Sequence, residues 1–487
     1  MDIVSKINGN LCSATEFNQI PTELEALQTS SGQTSSDAIL NQVSIATSRY
    51  AANNFYIDSG VANAYVLTLA ASMTNPVSAV AGQGYFIGMT IRFRAGNPNT
   101  GASTVNVNSA GVKNLKKEDG TTDLDVGDIS TTNDITFRYN GTLFVRVLEK
   151  NPLFSNKNAI INGDFNIWQR GISFASVANS NYTADRWEYS KTGAMVHTIT
   201  RSTDTPTVAQ AGKVFNYSLK IACTTPDASI AASDIAYISQ KIEGFNFLPL
   251  AQKTNTYGFW VKAVKIGTYC IAYGNEVDKS YVAEFTINAS NTWEYKTITI
   301  AASPSAGTWD YTNGLGLKAY FVLAAGSSFQ TTKDAWQNGV FVSTYNQVNA
   351  CDSTSNDFYL CGVQLESGSV ATPFENRTIQ EELALCQRYF ETTYDQVAAG
   401  TITLVGRYTA VVSDNGAIII PFKVPKRVAP SCSIYSDATG LSNKVYTGLV
   451  DINGVVPETH KNHFMMKQTL NTTLTSVSFH WTASAEL

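Results

Sequence analysis

The sequence predicts a mainly β protein that is divided into several domains. Its 487 residues exceed what one compact core normally holds. Charged residues make up only 15% of the chain and hydrophobic residues 44%, and tyrosine and phenylalanine each occur 23 times. This composition favours short strands joined by polar turns over long charged helices. Many segments also alternate apolar and polar residues between turn residues, which is the pattern of half-buried strands.

The first 54 residues differ from the rest and predict a short helical arm. Ile39, Leu40, Val43 and Ala46 are spaced so that they share one stripe of a helix. Such a helix is marginal alone, so we expect it to pack against copies of itself on a threefold axis. Residues 1–54 are therefore interpreted as an arm for attachment and trimerisation.

Residues 55–150 predict a small β module. Strands are expected at Tyr65–Ala71, Gly88–Gly96 and Ser103–Gly111, and a hairpin within Asp134–Glu149 turns at the sequence YNG. The run RFRAGNPNTGASTVNVNSAGVK, followed by GD and ITFRYNGTLFVRV, resembles a module near the N-terminus of bacteriophage tail-fibre proteins. That resemblance implies a stalk that connects to the tail and brings no catalytic residues.

Residues 155–378 form a longer β-rich region between two recognisable motifs. It opens with INGDFNIWQRG and closes with GVQLESGSVATPFENR. The region resembles the carbohydrate-binding-type jelly roll found in phage tail and prophage adhesin proteins. Trp168, Trp187 and Trp260 lie in its apolar motifs and are expected in its core.

The end of the chain predicts a helix followed by a second β-sandwich. The stretch TIQEELALCQRYFE indicates a connecting helix over 379–395, with acidic residues in its first turn. Residues 396–487 contain at least five predicted strands and resemble the distal head of related fibre proteins. The head is expected to contact the receptor, because it lies furthest from the arm.

The sequence argues against several classes of function. The net charge is −5 with no basic cluster, so nucleic-acid binding is not expected. No window approaches 18 uninterrupted apolar residues, so membrane insertion is not expected either. The seven scattered cysteines fit neither a disulfide framework nor a zinc site. No catalytic motif and no β-helix repeat is found, so we expect a protein that is not an enzyme.

Glycan binding requires aromatic faces beside polar side chains, and several residues meet this description. In the jelly-roll region these are aromatic residues in loops or at strand ends, and in the head they are aromatic residues and a histidine pair in the sequence HKNH. The candidates are Trp293, Trp309, Tyr311, Trp336, Tyr435, Tyr446, His460 and His463. The two histidines are alternatively metal ligands, residues on a threefold axis or a polar loop tip.

No cofactor is predicted except a structural calcium ion, which is implied by the jelly-roll resemblance. Asp164 of NGDF and Asp357 occupy positions comparable to the ligands of related domains, and calcium prefers such oxygens. The chain departs from the related pattern at Asn166, where an acidic residue is usual. Asp164 and Asp357 are alternatively turn residues.

Together these features predict a homotrimeric tail fibre of the virion that binds a host-surface polysaccharide or lipopolysaccharide. Trimerisation would cover exposed strand edges and multiply weak glycan contacts. The arm at 1–54 is expected to join a tail or baseplate protein. Two alternatives stay open, namely a glycan-cleaving tailspike depolymerase and a structural spacer that carries a separate adhesin.

Overall fold

The computed structural model is mainly β and separates into two compact units, residues 1–153 and 154–487. It describes residues 6–7, 10–11, 55–68, 85, 87–107, 109–131, 134–147, 157–410, 417–468 and 476–487. The predicted helical arm lies outside the described residues, apart from a two-stranded antiparallel pair, β1 (Lys6–Ile7) and β2 (Asn10–Leu11). Within the described residues, no helix is long and apolar enough to cross a membrane.

Seven strands of the first unit form a small closed barrel. They are β3 (Phe55–Asp58), β4 (Ala64–Thr68), β5 (Thr90–Arg94), β6 (Ser103–Val107), β7 (Val112–Lys116), β8 (Ile135–Tyr139) and β9 (Phe144–Arg146). Their order around the barrel is β3-β4-β6-β7-β9-β8-β5. The predicted hairpin is confirmed, because Tyr139 pairs with Phe144 across the YNG turn. Alternate residues such as Tyr65, Phe93 and Phe137 point inwards and fill the barrel.

The second unit begins with a jelly-roll β-sandwich of two antiparallel sheets. Its strands are β10 (Ser173–Phe174), β11 (Asn181–Tyr182), β12 (Trp187–Thr192), β13 (Val196–Ser202), β14 (Ser218–Thr225), β15 (Ile235–Glu243), β16 (Asn255–Ala263), β17 (Gly267–Gly274), β18 (Lys279–Ile287), β19 (Glu294–Ile300), β20 (Leu315–Ala325), β21 (Trp336–Asn338) and β22 (Asp357–Ser367). One sheet has the order β10-β13-β14-β22-β16-β19, and the other has the order β11-β12-β15-β20-β17-β18-β21. The short helices α1 (Val208–Ala211) and α2 (Gly244–Phe247) and a 3-10 turn at Ser327–Phe329 lie between strands.

The sandwich core is aromatic and is closed by the NGDF motif. Phe259 of the six-stranded sheet meets Phe321 of the seven-stranded sheet with ring centroids 5.1 Å apart. Trp187, which is fully buried as predicted, donates its indole N–H to the carbonyl of Asn162 at 3.0 Å. The side-chain oxygen of Asn162 accepts the backbone N–H of Ile167 at 2.9 Å. The motif therefore ties the start of the domain to the core by hydrogen bonds to buried polar groups.

The connecting helix is shorter than the sequence predicts. It is α3 (Ile379–Gln387), and Thr378 and Glu381 form a capping box at its start. The prediction of helix to residue 395 is wrong because Phe390–Thr392 forms a strand, in which Phe390 pairs with Ser484. Pairing with the C-terminal sheet thus takes precedence over the helical apolar stripe.

The C-terminal residues form one antiparallel sheet around a central strand. Its strands are β23 (Phe390–Thr392), β24 (Tyr408–Ala410), β25 (Ala417–Pro421), β26 (Ser431–Tyr435), β27 (Lys444–Tyr446), β28 (Asp451–Thr459), β29 (His463–Gln468) and β30 (Val477–Ser484). The sheet order is β23-β30-β27-β28-β29-β25, and β24 and β26 also pair with β30. Phe464, Phe479 and Trp481 lie in the core of this head.

Buried charged side chains form ion pairs between the head and the jelly roll. The Arg186 side chain is 1% exposed, stacks on Tyr389 at 3.5 Å and forms an ion pair with Glu486. Glu486 also binds the Arg170 guanidinium at 2.9 Å. We call this set, Arg170, Arg186, Tyr389 and Glu486, the junction cluster. Because burying a charge is costly unless it is paired, the cluster favours one fixed arrangement of jelly roll and head.

Candidate functional site

Three of the predicted aromatic residues meet at one edge of the sandwich. Trp309 and Tyr311 both stack on Phe247, with centroids 5.2 and 5.9 Å away. Trp336 meets Trp309 edge to face at 5.7 Å. We call Phe247, Trp309, Tyr311 and Trp336 the aromatic cluster. Phe247 is buried, whereas the other three are half-buried and keep part of each ring open to solvent.

Strand edges and a loop position these rings. Trp336 begins β21 at the edge of the seven-stranded sheet, and its indole N–H donates to the carbonyl of Ala301, just after β19, at 3.0 Å. Trp309 and Tyr311 flank Asp310 in the loop that leads into β20. The Asp310 carboxylate accepts the backbone N–H of Thr312 at 2.6 Å, which fixes this loop. The cluster therefore lies between two edge strands, β19 of the six-stranded sheet and β21 of the seven-stranded sheet.

Polar groups border the aromatic cluster. The Asp278 carboxylate accepts the side-chain N–H of Asn275 at 2.7 Å and the backbone N–H of Thr308 at 3.1 Å. These hydrogen bonds, the one from Asn275 first, lower the pKa of Asp278, so it stays ionised. Lys279 donates to Asn338 at 2.5 Å. Open aromatic faces beside carboxylate, ammonium and amide groups match the requirements of a sugar-binding surface.

Trp293 does not join this cluster. It is only 8% exposed, packs on Tyr359 on the outer face of the six-stranded sheet, and donates its indole N–H to Asp204 at 2.9 Å. Lys262 lies over both rings and pairs with Asp204. The prediction of an open stacking face at Trp293 is corrected by this packing.

The same sheet carries an aromatic pair that the sequence interpretation missed. Trp260, which is predicted as core, is half-buried on the outer face, because its neighbours Phe259 and Val261 take the inward positions. Its ring lies 5.3 Å from that of Tyr295, which is 44% exposed. Strict alternation with Phe259 and Val261 was the signal that could have placed Trp260 outwards.

The candidate glycan-binding residues of the head lie in separate places. Tyr435 is half-buried beside Tyr394 at 6.1 Å, and Tyr446 is half-buried in β27, where its backbone pairs with Ser478. His460 and His463 form the hairpin turn between β28 and β29, with their rings 4.7 Å apart.

The histidine turn is polar and accessible. The His460 side chain is 50% exposed, and its Nε2 pairs with Glu458. The HKNH sequence lies where β28 turns into β29, at the tip of the hairpin. Within the described ranges, no group of three or more His, Cys, Asp or Glu side chains is arranged to hold a metal ion.

Asp164 and Asp357 do not share a site. Gly163, beside Asp164, accepts a hydrogen bond from Val363, whereas Asp357 lies six residues earlier on β22. At about 3.3 Å per residue, that separation is roughly 20 Å. Asp357 instead pairs with Lys220 at 2.8 Å. The predicted joint calcium site is therefore wrong, because calcium requires six to eight oxygens around one point.

The fold and the surface define a multi-domain β protein whose jelly roll carries an open aromatic cluster. No protein-family model matches the chain, and no curated protein sequence matches it.

Solved structures are similar to part of the chain. The enzymatically active domain of tailspike protein 4 of bacteriophage CBA120 is 17% identical over 40% of this chain, with a TM-score of 0.23. The match spans only 21% of that tailspike structure. Two carbohydrate-binding modules of Clostridium thermocellum also match. The family 11 module of the cellulase Lic26A-Cel5E is 8% identical over 40% of this chain and 95% of its own, with a TM-score of 0.22. The C-terminal family 22 module of Xyn10B is 14% identical over 42% of this chain and 98% of its own, with a TM-score of 0.23. At these scores the matches assign neither a ligand nor a reaction.

Proposed function

We propose that this chain is the receptor-binding subunit of a bacteriophage tail fibre, which attaches the virion to a host-surface glycan without cleaving it. The observation that carries the proposal is the aromatic cluster beside polar side chains, in which Trp309 and Tyr311 stack on Phe247 and Trp336 meets Trp309. The fibre role is supported by the sequence blocks RFRAGNPNTGASTVNVN and VQLESGSVATPFENRTIQEELALCQRYFE. In this proposal residues 1–54 join a tail or baseplate protein, and three copies assemble.

The aromatic cluster suits weak, repeated contact with a polysaccharide. Its rings are held by β21 and the loop before β20, so little conformational entropy is lost when a sugar stacks on them. Asp278 and Lys279 offer an acceptor and a donor for sugar hydroxyls at the border. Each contact is modest, but three copies in one fibre raise the effective affinity by avidity.

Binding of the full chain to purified lipopolysaccharide or capsule from a susceptible host tests the proposal. Trp309→Ala removes one ring and should weaken the apparent affinity at least tenfold, a loss of about 1.4 kcal/mol. Tyr345→Ala is the matched control, because Tyr345 is 73% exposed and lies outside the cluster. Equal losses in both variants, or none in Trp309→Ala, would refute glycan binding at this cluster.

Two further measurements separate the alternatives. Sustained release of new reducing ends from the polysaccharide would identify a depolymerase and overturn binding without cleavage. Competition with phage adsorption by the full chain tests the spacer alternative, because a spacer that carries a separate adhesin should not compete. We expect competition and no release of oligosaccharide.

A further inference from the structure

A polar cavity lies away from the aromatic cluster, between the NGDF loop, the segment before β14 and the start of α3. Its volume is about 430 Å³, within the range of roughly 300–1,000 Å³ that is typical of small-molecule sites. The residues that line it include Asp164, Asn166, Lys213, Tyr217, Arg377 and Glu382. We call this space the Asp164 cavity.

Two of the lining side chains hold acceptors without partners. Asn166 donates its amide N–H to Oδ2 of Asp164 at 2.5 Å, which leaves Oδ1 of Asp164 and Oδ1 of Asn166 buried with no hydrogen bond. A buried acceptor without a partner typically costs about 1–3 kcal/mol. Burial also raises the pKa of Asp164, because desolvation disfavours the charged carboxylate. The cavity therefore favours a ligand that brings hydroxyl donors.

The cavity also offers donors and an aromatic wall. Nε of Arg377 is buried without a partner, and Lys213 binds Asn376 at the rim. Tyr217 is half-buried, lines the cavity and has the Arg201 guanidinium over one face of its ring at 4.3 Å. Unpaired acceptors, an unpaired donor and one ring match the alternating hydroxyls and apolar face of a pyranose.

The charges limit which ligand fits. Two carboxylates, Asp164 and Glu382, line the cavity together with two cations, so the formal charges cancel and favour a neutral ligand over a charged one. Lys213 and Arg377 supply positive charge at the same place, which disfavours calcium.

We infer that the Asp164 cavity binds one neutral hexopyranose unit of the receptor glycan, with vicinal hydroxyls donating to Asp164 and Asn166. This inference rests on the proposed glycan-binding function and adds a subsite to it. The sugar hydroxyls supply the donors that the two unpaired oxygens lack, and the pyranose ring lies beside Tyr217. The aromatic cluster then contacts the polysaccharide chain, while the cavity binds one sugar unit of it.

Titration of the full chain with methyl glycosides of glucose, galactose and mannose tests the inference by calorimetry and ligand-observed NMR. At least one glycoside should bind in the millimolar range, and Asp164→Asn should weaken it at least tenfold, because an amide donor replaces an acceptor. Asp357→Asn is the matched control, since the same substitution then falls at the start of β22, roughly 20 Å from Asp164. Thermal unfolding checks that each variant is folded, and Asn166→Ala serves as the second variant if Asp164→Asn unfolds.

Each outcome decides one proposal. No glycoside binding, or binding that Asp164→Asn and Asn166→Ala leave unchanged, overturns the cavity inference. Calcium binding that depends on Asp164 without any glycoside binding overturns it as well. If polysaccharide binding still depends on Trp309 in these cases, the proposed function stands and only the subsite fails. If the full chain binds neither polysaccharide nor glycoside, the proposed function fails.

Discussion

The buried histidine of the jelly roll makes a quantitative prediction about acid stability. His197 is 2% exposed in β13, and its Nδ1 lies 2.5 Å from the hydroxyl of Tyr189. Burial, and secondarily the charge of Lys191, lowers the pKa of His197 from 6.5 to about 4. In the unfolded chain the imidazole takes up its proton near pH 6.5, whereas the folded protein delays uptake until about pH 4. The unfolded state therefore gains stability as the pH falls through this window.

The size of the effect follows from the pKa difference. At 1.36 kcal/mol for each pH unit, this histidine should reduce the free energy of unfolding by about 3 kcal/mol between pH 7 and pH 4. His197→Asn keeps a polar atom near Tyr189 but removes the titrating group. The difference in the free energy of unfolding between this variant and wild type should therefore shrink as the pH falls from 7 to 4. Urea unfolding at several pH values measures it. His460→Asn is the control for the substitution itself, because it makes the same exchange at a half-exposed position of the head. Parallel curves for wild type and His197→Asn between pH 7 and pH 4 would refute the reasoning.

Two further predictions concern packing and buried charge. Glu486→Gln leaves Arg186 buried without its counterion and should destabilise the second unit by about 3–5 kcal/mol in urea unfolding. Adding Arg186→Met should recover part of that loss, and no recovery would contradict the ion-pair explanation. Gly326→Ala would place a methyl group 1.9 Å from the carbonyl oxygen of Ala231, so the backbone must shift and the melting temperature should fall. Gly96→Ala, whose nearest neighbour is 3.7 Å away, should change it little, and equal shifts would argue against steric crowding.

Local features of the sequence predicted much of the fold. Alternation predicted the strands that contain Tyr65 and Phe93, both of which point into the barrel, and the YNG turn predicted the hairpin in which Tyr139 pairs with Phe144. These predictions hold because a strand's two faces and a tight turn depend on neighbouring residues. The parallel pairing of β3 with β5 could not be predicted, because it depends on contacts between distant segments.

The candidate site was only partly predictable for a related reason. Trp309, Tyr311 and Trp336 are suitable residue types, but their clustering requires the loop before β20 to reach the sheet edge. Apolar patterning also failed to separate Trp293, which is covered, from Trp260, which is open. Strand alternation places Trp260 on the outer face, whereas contacts with Tyr359 and Asp204 cover Trp293.

The junction cluster has a consequence for the order in which the protein folds. Arg186 and Glu486 are 300 positions apart in the sequence, although they form a buried ion pair. Domains generally fold as units during synthesis, so the jelly-roll strands can assemble long before Glu486 leaves the ribosome. Until then Arg186 has no carboxylate to pair with, and contacts of such long range form slowly. We expect the nascent jelly roll to stay incompletely closed around Arg186, so that closure of the junction is a late folding step.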